Sequence, residues 1–228
     1  MRISKKARKR KKKLQMKNKR LVKKYYWLRP IHIWTGKPLK DYDYTWIEWG
    51  WCDGWDKAFG QMYMDELGAA IKEAGQKNYQ IVQIKEKYGQ ARLYDNGSTE
   101  KVHEIIHKYE IISENICMRC GREAPTLDDG WVYVYCPKCY KKIIRRREKY
   151  FHDNHPEKPI MTDDEIMKQY KEIICSKPNE DSTWLPNSYS VRRFSKDGDE
   201  IITYDISDTV NRIRNRQRKW IKVSDMND

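Results

Sequence analysis

No run of about eighteen apolar residues occurs anywhere in the 228-residue chain, so a transmembrane helix is not expected. The basic N terminus is not followed by an apolar stretch, and no secretory signal is expected either. Cysteine is sparse, six in all, which argues against the dense disulfide framework of a small secreted domain. Reduced thiols in a reducing, nucleic-acid-containing cytoplasmic compartment are the expectation. Acid is missing from one segment altogether: residues 1–24 hold 14 Lys and Arg and no Asp or Glu. Taking these 14 from the 47 basic residues leaves 33, equal to the 33 acidic ones, so the +14 net charge belongs to this arm and the remainder is formally neutral. An arm with so little to bury and so much self-repulsion is expected to stay disordered until a polyanion binds it. Lys5, Lys6, Arg8, Lys9, Arg10, Lys11, Lys12 and Lys13 are its candidate phosphate contacts. Each phosphate they neutralise releases counterions, which makes such binding steeply salt-dependent.

What is present is a set of four cysteines, Cys117-Met-Arg-Cys120 and, after fifteen intervening residues, Cys136-Pro-Lys-Cys139. Two C-x-x-C pairs so separated suit one structural zinc ion. Each pair puts two thiolates on a tight turn, and the two turns together close a tetrahedral four-sulfur shell. Gly121 stands where the first turn needs positive φ. Asp128-Asp129-Gly130 reads as a turn, Trp131–Tyr135 as a strand, and Pro137 as the first residue of a helix running through Lys141 to Phe151. Cys136 then sits at a helix N terminus, where the dipole favours a thiolate. Knuckle, strand and helix in this order read as a treble clef more than a pure zinc ribbon. A redox dithiol is one other reading. A finger using His152 and His155 after Cys139 is another, but its histidine spacing is one residue short and it strands Cys117 and Cys120. Cys52 and Cys175 read as buried structural thiols.

The remaining pattern predicts an α+β fold. Residues 25–55 are rich in Trp and Tyr and punctuated by Pro and Gly, so loops and short strands are expected there. Trp46, Trp49 and Trp51 either stack on bases or form a tryptophan-rich corner of the core, the simpler reading. Periodicity predicts a helix over Asp56–Ala74, strands over Tyr79–Ile84 and Gln90–Tyr94 around a Lys85–Gly89 connection, and a helix over Thr99–Glu114. After a linker from Asp153 to Pro159, Thr162-Asp-Asp-Glu165 is a capping box opening a helix to about Cys175. A hairpin of Tyr189–Phe194 and Glu200–Tyr204 and a helix from Ser207 to about Val223 complete the chain. The expected organisation is a polybasic arm (1–24), an α+β domain (25–115), a zinc module (116–152) and a helix–hairpin–helix region (153–228).

The segment Gln83-Ile-Lys-Glu-Lys-Tyr-Gly-Gln-Ala-Arg-Leu-Tyr94, a helix, and then C-x-x-C-G…W…C-x-x-C resemble a group of small phage and bacterial proteins of uncharacterised function. The resemblance covers Trp46 to Cys139. It implies a zinc site and a bacterial or phage setting, and no particular activity. His103-Glu-Ile-Ile-His107 matches the H-E-x-x-H metallopeptidase pattern, with Glu104 as its base, yet no convincing third ligand accompanies it. No catalytic residue is therefore assigned.

The expected function is nucleic-acid binding by a zinc-stabilised body with a basic arm, RNA or a ribonucleoprotein slightly favoured over DNA. One structural zinc on Cys117, Cys120, Cys136 and Cys139 is the expected cofactor. Arg145, Arg146 and Arg147 on the clef helix and Arg212 and Arg216 on the last helix are further candidate contacts, since arginine forks match phosphate oxygens. The alternatives are a factor that binds a host protein complex and, less favoured, a zinc hydrolase using the histidine pair.

Overall fold

The computed structural model describes residues 16, 19–32, 34–40, 51–175, 190–194 and 200–224. It is a mixed fold of helices and two-stranded antiparallel sheets, in line with the α+β expectation. The chain divides into two compact units. The first comprises Met1–Cys52, Gly60–Lys87 and Ala91–Glu110, and the second Asp53–Phe59, Tyr88–Gln90 and Ile111–Asp228. Both are discontinuous in sequence, whereas the composition-based division is sequential.

In the first unit, helix α1 (Gln61–Glu73) and strands β1 (Ile81–Lys87) and β2 (Gln90–Asp95) enclose an aromatic core with helix α2 (Glu100–Ser113). Val102, Ile106 and Tyr109 of α2 are buried at helical spacing, as their periodicity requires. Tyr63 and Tyr109 stack with centroids 4.3 Å apart, and Trp51 packs 5.6 Å from Tyr63. Trp51 is thus a core residue, not a base-stacking face; Trp46 and Trp49 lie outside the described residues. The arm boundary also moves. Residues 19–24 are helical, and Lys24 Nζ reaches Asp65 Oδ1 at 2.7 Å.

Two local expectations change here. Strand β1 runs on to Lys87, so the connection to β2 shrinks to Tyr88-Gly89, with φ of 53° and 76°. Two successive positive φ values make a primed two-residue turn, whose twist matches that of the flanking strands. The helix expected over Asp56–Ala74 begins with a helical turn at Asp53–Trp55 and a π-helical stretch, Asp56–Gly60, before α1. An inserted π turn changes the helix's phase, so Trp55, Ala58 and Phe59 are buried as well as Met62 and Tyr63.

The second unit holds β3 (Thr126–Asp128), β4 (Val132–Val134), helix α3 (Pro137–Asn154), helix α4 (Asp163–Glu172), the hairpin β5 (Ser190–Phe194) and β6 (Glu200–Asp205), and helix α5 (Ser207–Ser224). Strand β3 pairs with β4 in the register Leu127 to Tyr133. Asp128 and Asp129 cap the turn between them through bonds from the Gly130 and Trp131 amides. Trp131 belongs to that turn and not to the strand, and is 71% exposed.

Helix α4 starts at the expected capping box, Thr162 and Glu165 satisfying each other's backbone amides. It ends at Glu172, earlier than Cys175, because residues 173–175 pair with β3: Asp128 N donates to Ile173 O at 2.8 Å and Cys175 N to Thr126 O at 3.0 Å. Cys52 and Cys175 are half-buried rather than buried thiols. Leu127, Tyr133, Tyr140, Ile144, Ile166 and Tyr170 form the apolar cluster between the β3–β4 hairpin, α3 and α4.

Among the described residues no helix is long and apolar enough to cross a membrane.

Candidate metal centre

The four cysteines come together within the second unit, their sulfur atoms all within 4.8 Å of one another. Cys120 Sγ and Cys136 Sγ are 3.6 Å apart. A tetrahedral four-thiolate zinc site with Zn–S of about 2.3 Å has sulfur–sulfur edges of about 3.8 Å, so a metal ion fits with little rearrangement. Among the described residues this is the one cluster of three or more ligating side chains with such geometry.

Each pair is held by its own local structure. The first lies in a small loop closed by Cys117 N to Arg122 O at 2.7 Å and Ala124 N to Asn115 O at 3.0 Å. Gly121 N returns to Cys117 O at 2.9 Å, with Gly121 at φ 80°, the left-handed turn expected after the pair. The second pair begins α3. Cys136 is its N-cap and Pro137 its first residue, and the amides of Cys139 and Tyr140 both donate to Cys136 O. Met118 N donates to Val134 O at 2.9 Å, tying the first loop to the strand that leads into the second. Cys117, Cys136 and Cys139 are buried and pack with Ala124 and Val134, so the cysteines and their apolar neighbours form one cluster.

Two longer-range supports have no signature in the sequence. Gly54 N donates to Met118 O at 2.9 Å, and Trp55 Nε1 donates to Ile116 O at 3.2 Å. The backbones meet so closely that a Cβ on Gly54 would lie 2.0 Å from Cys117 O. From the other end of the chain, Gln217 Nε2 of α5 donates to Gly121 O at 2.8 Å, and Arg214 Nε pairs with Glu123 Oε1 at 2.7 Å. A buried carbonyl just after a ligand is thereby satisfied by a buried amide.

Four close thiols, three of them buried, cannot all ionise without a cation. Its hydrogen-bonded contact with Cys120 drives the Cys117 thiol far up, and the same contact pulls Cys120 down to about 2. Contact with Cys117 favours the Cys136 thiolate, but Cys120 and burial outweigh it and raise that thiol to about 11. Burial pushes Cys139 up to about 12. Burial and crowding therefore favour the protonated thiols, and a divalent cation must displace their protons. Metal uptake is expected to release protons and to weaken steeply as pH falls. Calorimetry in two buffers of different ionisation enthalpy counts the protons; a release near zero would contradict this site chemistry.

The other predicted residues are dispersed. His152 lies in the last turn of α3, thirteen residues past Cys139 and thus about 20 Å along the helix axis, and is no ligand. On α2, His103 is exposed and His107 and Glu104 are half-buried, and no third ligand gathers beside them among the described residues. Arg145 does not face solvent freely. Its guanidinium holds Asp163 and the Met161 carbonyl, and Lys141 holds the same carboxylate. Arg146, Arg147 and Arg212 are exposed and Arg216 half-buried. Lys5, Lys6, Arg8, Lys9, Arg10, Lys11, Lys12 and Lys13 lie outside the described residues.

No protein-family model matches the chain, and no curated protein or solved structure is significantly similar to it.

Proposed function

We propose that this chain is a nucleic-acid-binding protein, RNA favoured, whose second unit is a treble clef built on one structural zinc ion. The observation that carries the reading is the charge distribution: all of the +14 excess lies in the first 24 residues, ahead of a neutral body. Solubility alone does not call for a cation block of that density, whereas phosphate neutralisation does. The knuckle, hairpin and helix order of the cysteine unit supports the clef assignment. Four thiolate ligands leave no open position for a reacting water, so the metal's contribution is to the fold. The zinc would hold the four thiols as thiolates and clamp the first loop to the start of α3.

Binding of the full-length protein to a structured RNA and to duplex DNA, measured across salt concentration, tests this. Replacing the eight cations between Lys5 and Lys13 by glutamine is expected to reduce the log–log salt slope by up to about 5.6 for RNA, at about 0.7 per phosphate contact. A slope unchanged by that replacement, or tighter binding of duplex DNA than of structured RNA, sinks the RNA reading.

A second reading has one observation in its favour. Trp131 at the β3–β4 turn is 71% exposed and Trp34 88% exposed, more aromatic surface than a purely electrostatic binder requires. A protein partner retained after nuclease treatment would support an interaction factor instead.

A further inference from the structure

The basic side chains of the cysteine unit fall into two sets. Lys141, Arg145 and Arg214 are committed to Asp163 and Glu123. Lys138, Lys142, Arg146 and Lys149 are all exposed, and among the described residues none of them takes part in an ion pair. They recur along α3 at helical spacing, within an arc of about 80°, on the face opposite buried Tyr140 and Ile144. From Lys138 to Lys149 the row extends about 16 Å. Arg119, exposed at the third position of the first C-x-x-C pair, stands at its metal end, because Cys120 is in contact with Cys136 at the helix start. Asp153, one turn beyond Lys149, ends the row. Tyr150, beside the row and four residues after Arg146, is 75% exposed.

We propose that this face of α3 holds the phosphate backbone of a single-stranded nucleic-acid segment, with Tyr150 as the stacking face for one unpaired base. The inference rests on the nucleic-acid reading above and gives it a site on the folded body. Lysines and arginines one turn apart track successive phosphates. An exposed ring alongside a cationic track is the combination that single-strand binders use, since stacking needs a base out of its duplex. A duplex would meet the same charges and leave Tyr150 without a partner. The assignment also shifts the expected contacts: Arg145, the first residue of the arginine run, is a positioning residue that fastens α3 to the start of α4 through Asp163.

The test uses the full-length, metal-loaded protein with an oligouridine, an oligothymidine and a DNA duplex. Lys142→Glu with Arg146→Glu is expected to weaken oligouridine binding about tenfold or more and to reduce the salt slope by about 1.4, two contacts at about 0.7 each. Tyr150→Ala is expected to weaken both unpaired oligonucleotides several-fold and leave the duplex unaffected. Both substitutions alter exposed positions of a helix, and an unchanged metal content and melting temperature verify folding. If wild-type protein binds the oligonucleotides and the charge-reversed protein binds them equally well with the same slope, the α3 site is overturned while the nucleic-acid reading stands. Preference for the duplex overturns the single-strand assignment. If wild-type protein binds none of the three at low salt, the nucleic-acid reading itself fails.

Discussion

Cys117→Ser is expected to strip the metal from the protein and to unfold the second unit with it. Cys117 is fully buried and its sulfur lies within 4.8 Å of the three others. A serine oxygen there is a poor zinc ligand and leaves the ion with only three good ligands. Structural zinc contributes about 10–16 kcal/mol to the folding of small metal domains, more than the whole stability of a typical one. The apolar cluster of Leu127, Tyr133, Tyr140, Ile144, Ile166 and Tyr170 is small, and the hairpin feeding it is three residues per strand. Neither is expected to persist without the ion. Metal analysis should fall from one ion per chain to well below it, and the melting transition of this unit should disappear. Chelation of the wild type should reproduce both changes. Replacing His103 and His107 together should leave the count at one. A Cys117→Ser protein that keeps one ion and melts normally would show that the cysteines do not form the site.

Gly54→Ala is expected to destabilise the second unit strongly. The added carbon would lie 2.0 Å from Cys117 O, 2.7 Å from Met118 C and 2.8 Å from Gly121 N. All three are backbone atoms, so no side-chain rotation relieves the clash. Either the loop carrying Cys117 and Cys120 moves away, losing the Gly54-to-Met118 hydrogen bond, or the Asp53–Phe59 segment withdraws Trp55 from its carbonyl partner. Overpacking of this severity costs about 3 kcal/mol or more. Because the displaced loop holds two ligands, metal affinity should fall by about 100-fold, the equivalent of about 2.8 kcal/mol. Competition with a chromophoric chelator measures it. Lys57→Ala, at an exposed position of the same segment, should change neither stability nor affinity beyond about 0.5 kcal/mol. An affinity for Gly54→Ala within threefold of wild type would show that the segment is not pressed against the metal loop.

Much of the site was legible because its signals are local. The C-x-x-C spacing, Gly121 after the first pair, Pro137 at the start of α3 and the Thr162–Glu165 box each encode a turn or a cap within a few residues. Local backbone chemistry decides such features whatever the rest of the chain does. The amphipathic patterns of α2 and α3 belong to the same class, since burying one face follows from a period of 3.6 residues. Strand β3 escaped because three residues are too few to show a period, and its pairing depends on residues 173–175 far along the chain.

What the sequence by itself determined is the set of four cysteines that cluster, the order of loop, strand and helix around it, and the separation of a polycationic arm from a neutral body. Only the tertiary structure decided which glycine presses on the metal loop, that Gln217 and Arg214 close it from the last helix, and which cations remain available. Arg145 and Arg146 are neighbours of one chemical type, and nothing in the sequence distinguishes them. Asp163, eighteen residues beyond Arg145, does so by taking up one guanidinium and leaving the other exposed. Ion pairs and close backbone approaches are made between segments whose separation along the chain carries no period and no motif, so they come into being only with the folded geometry.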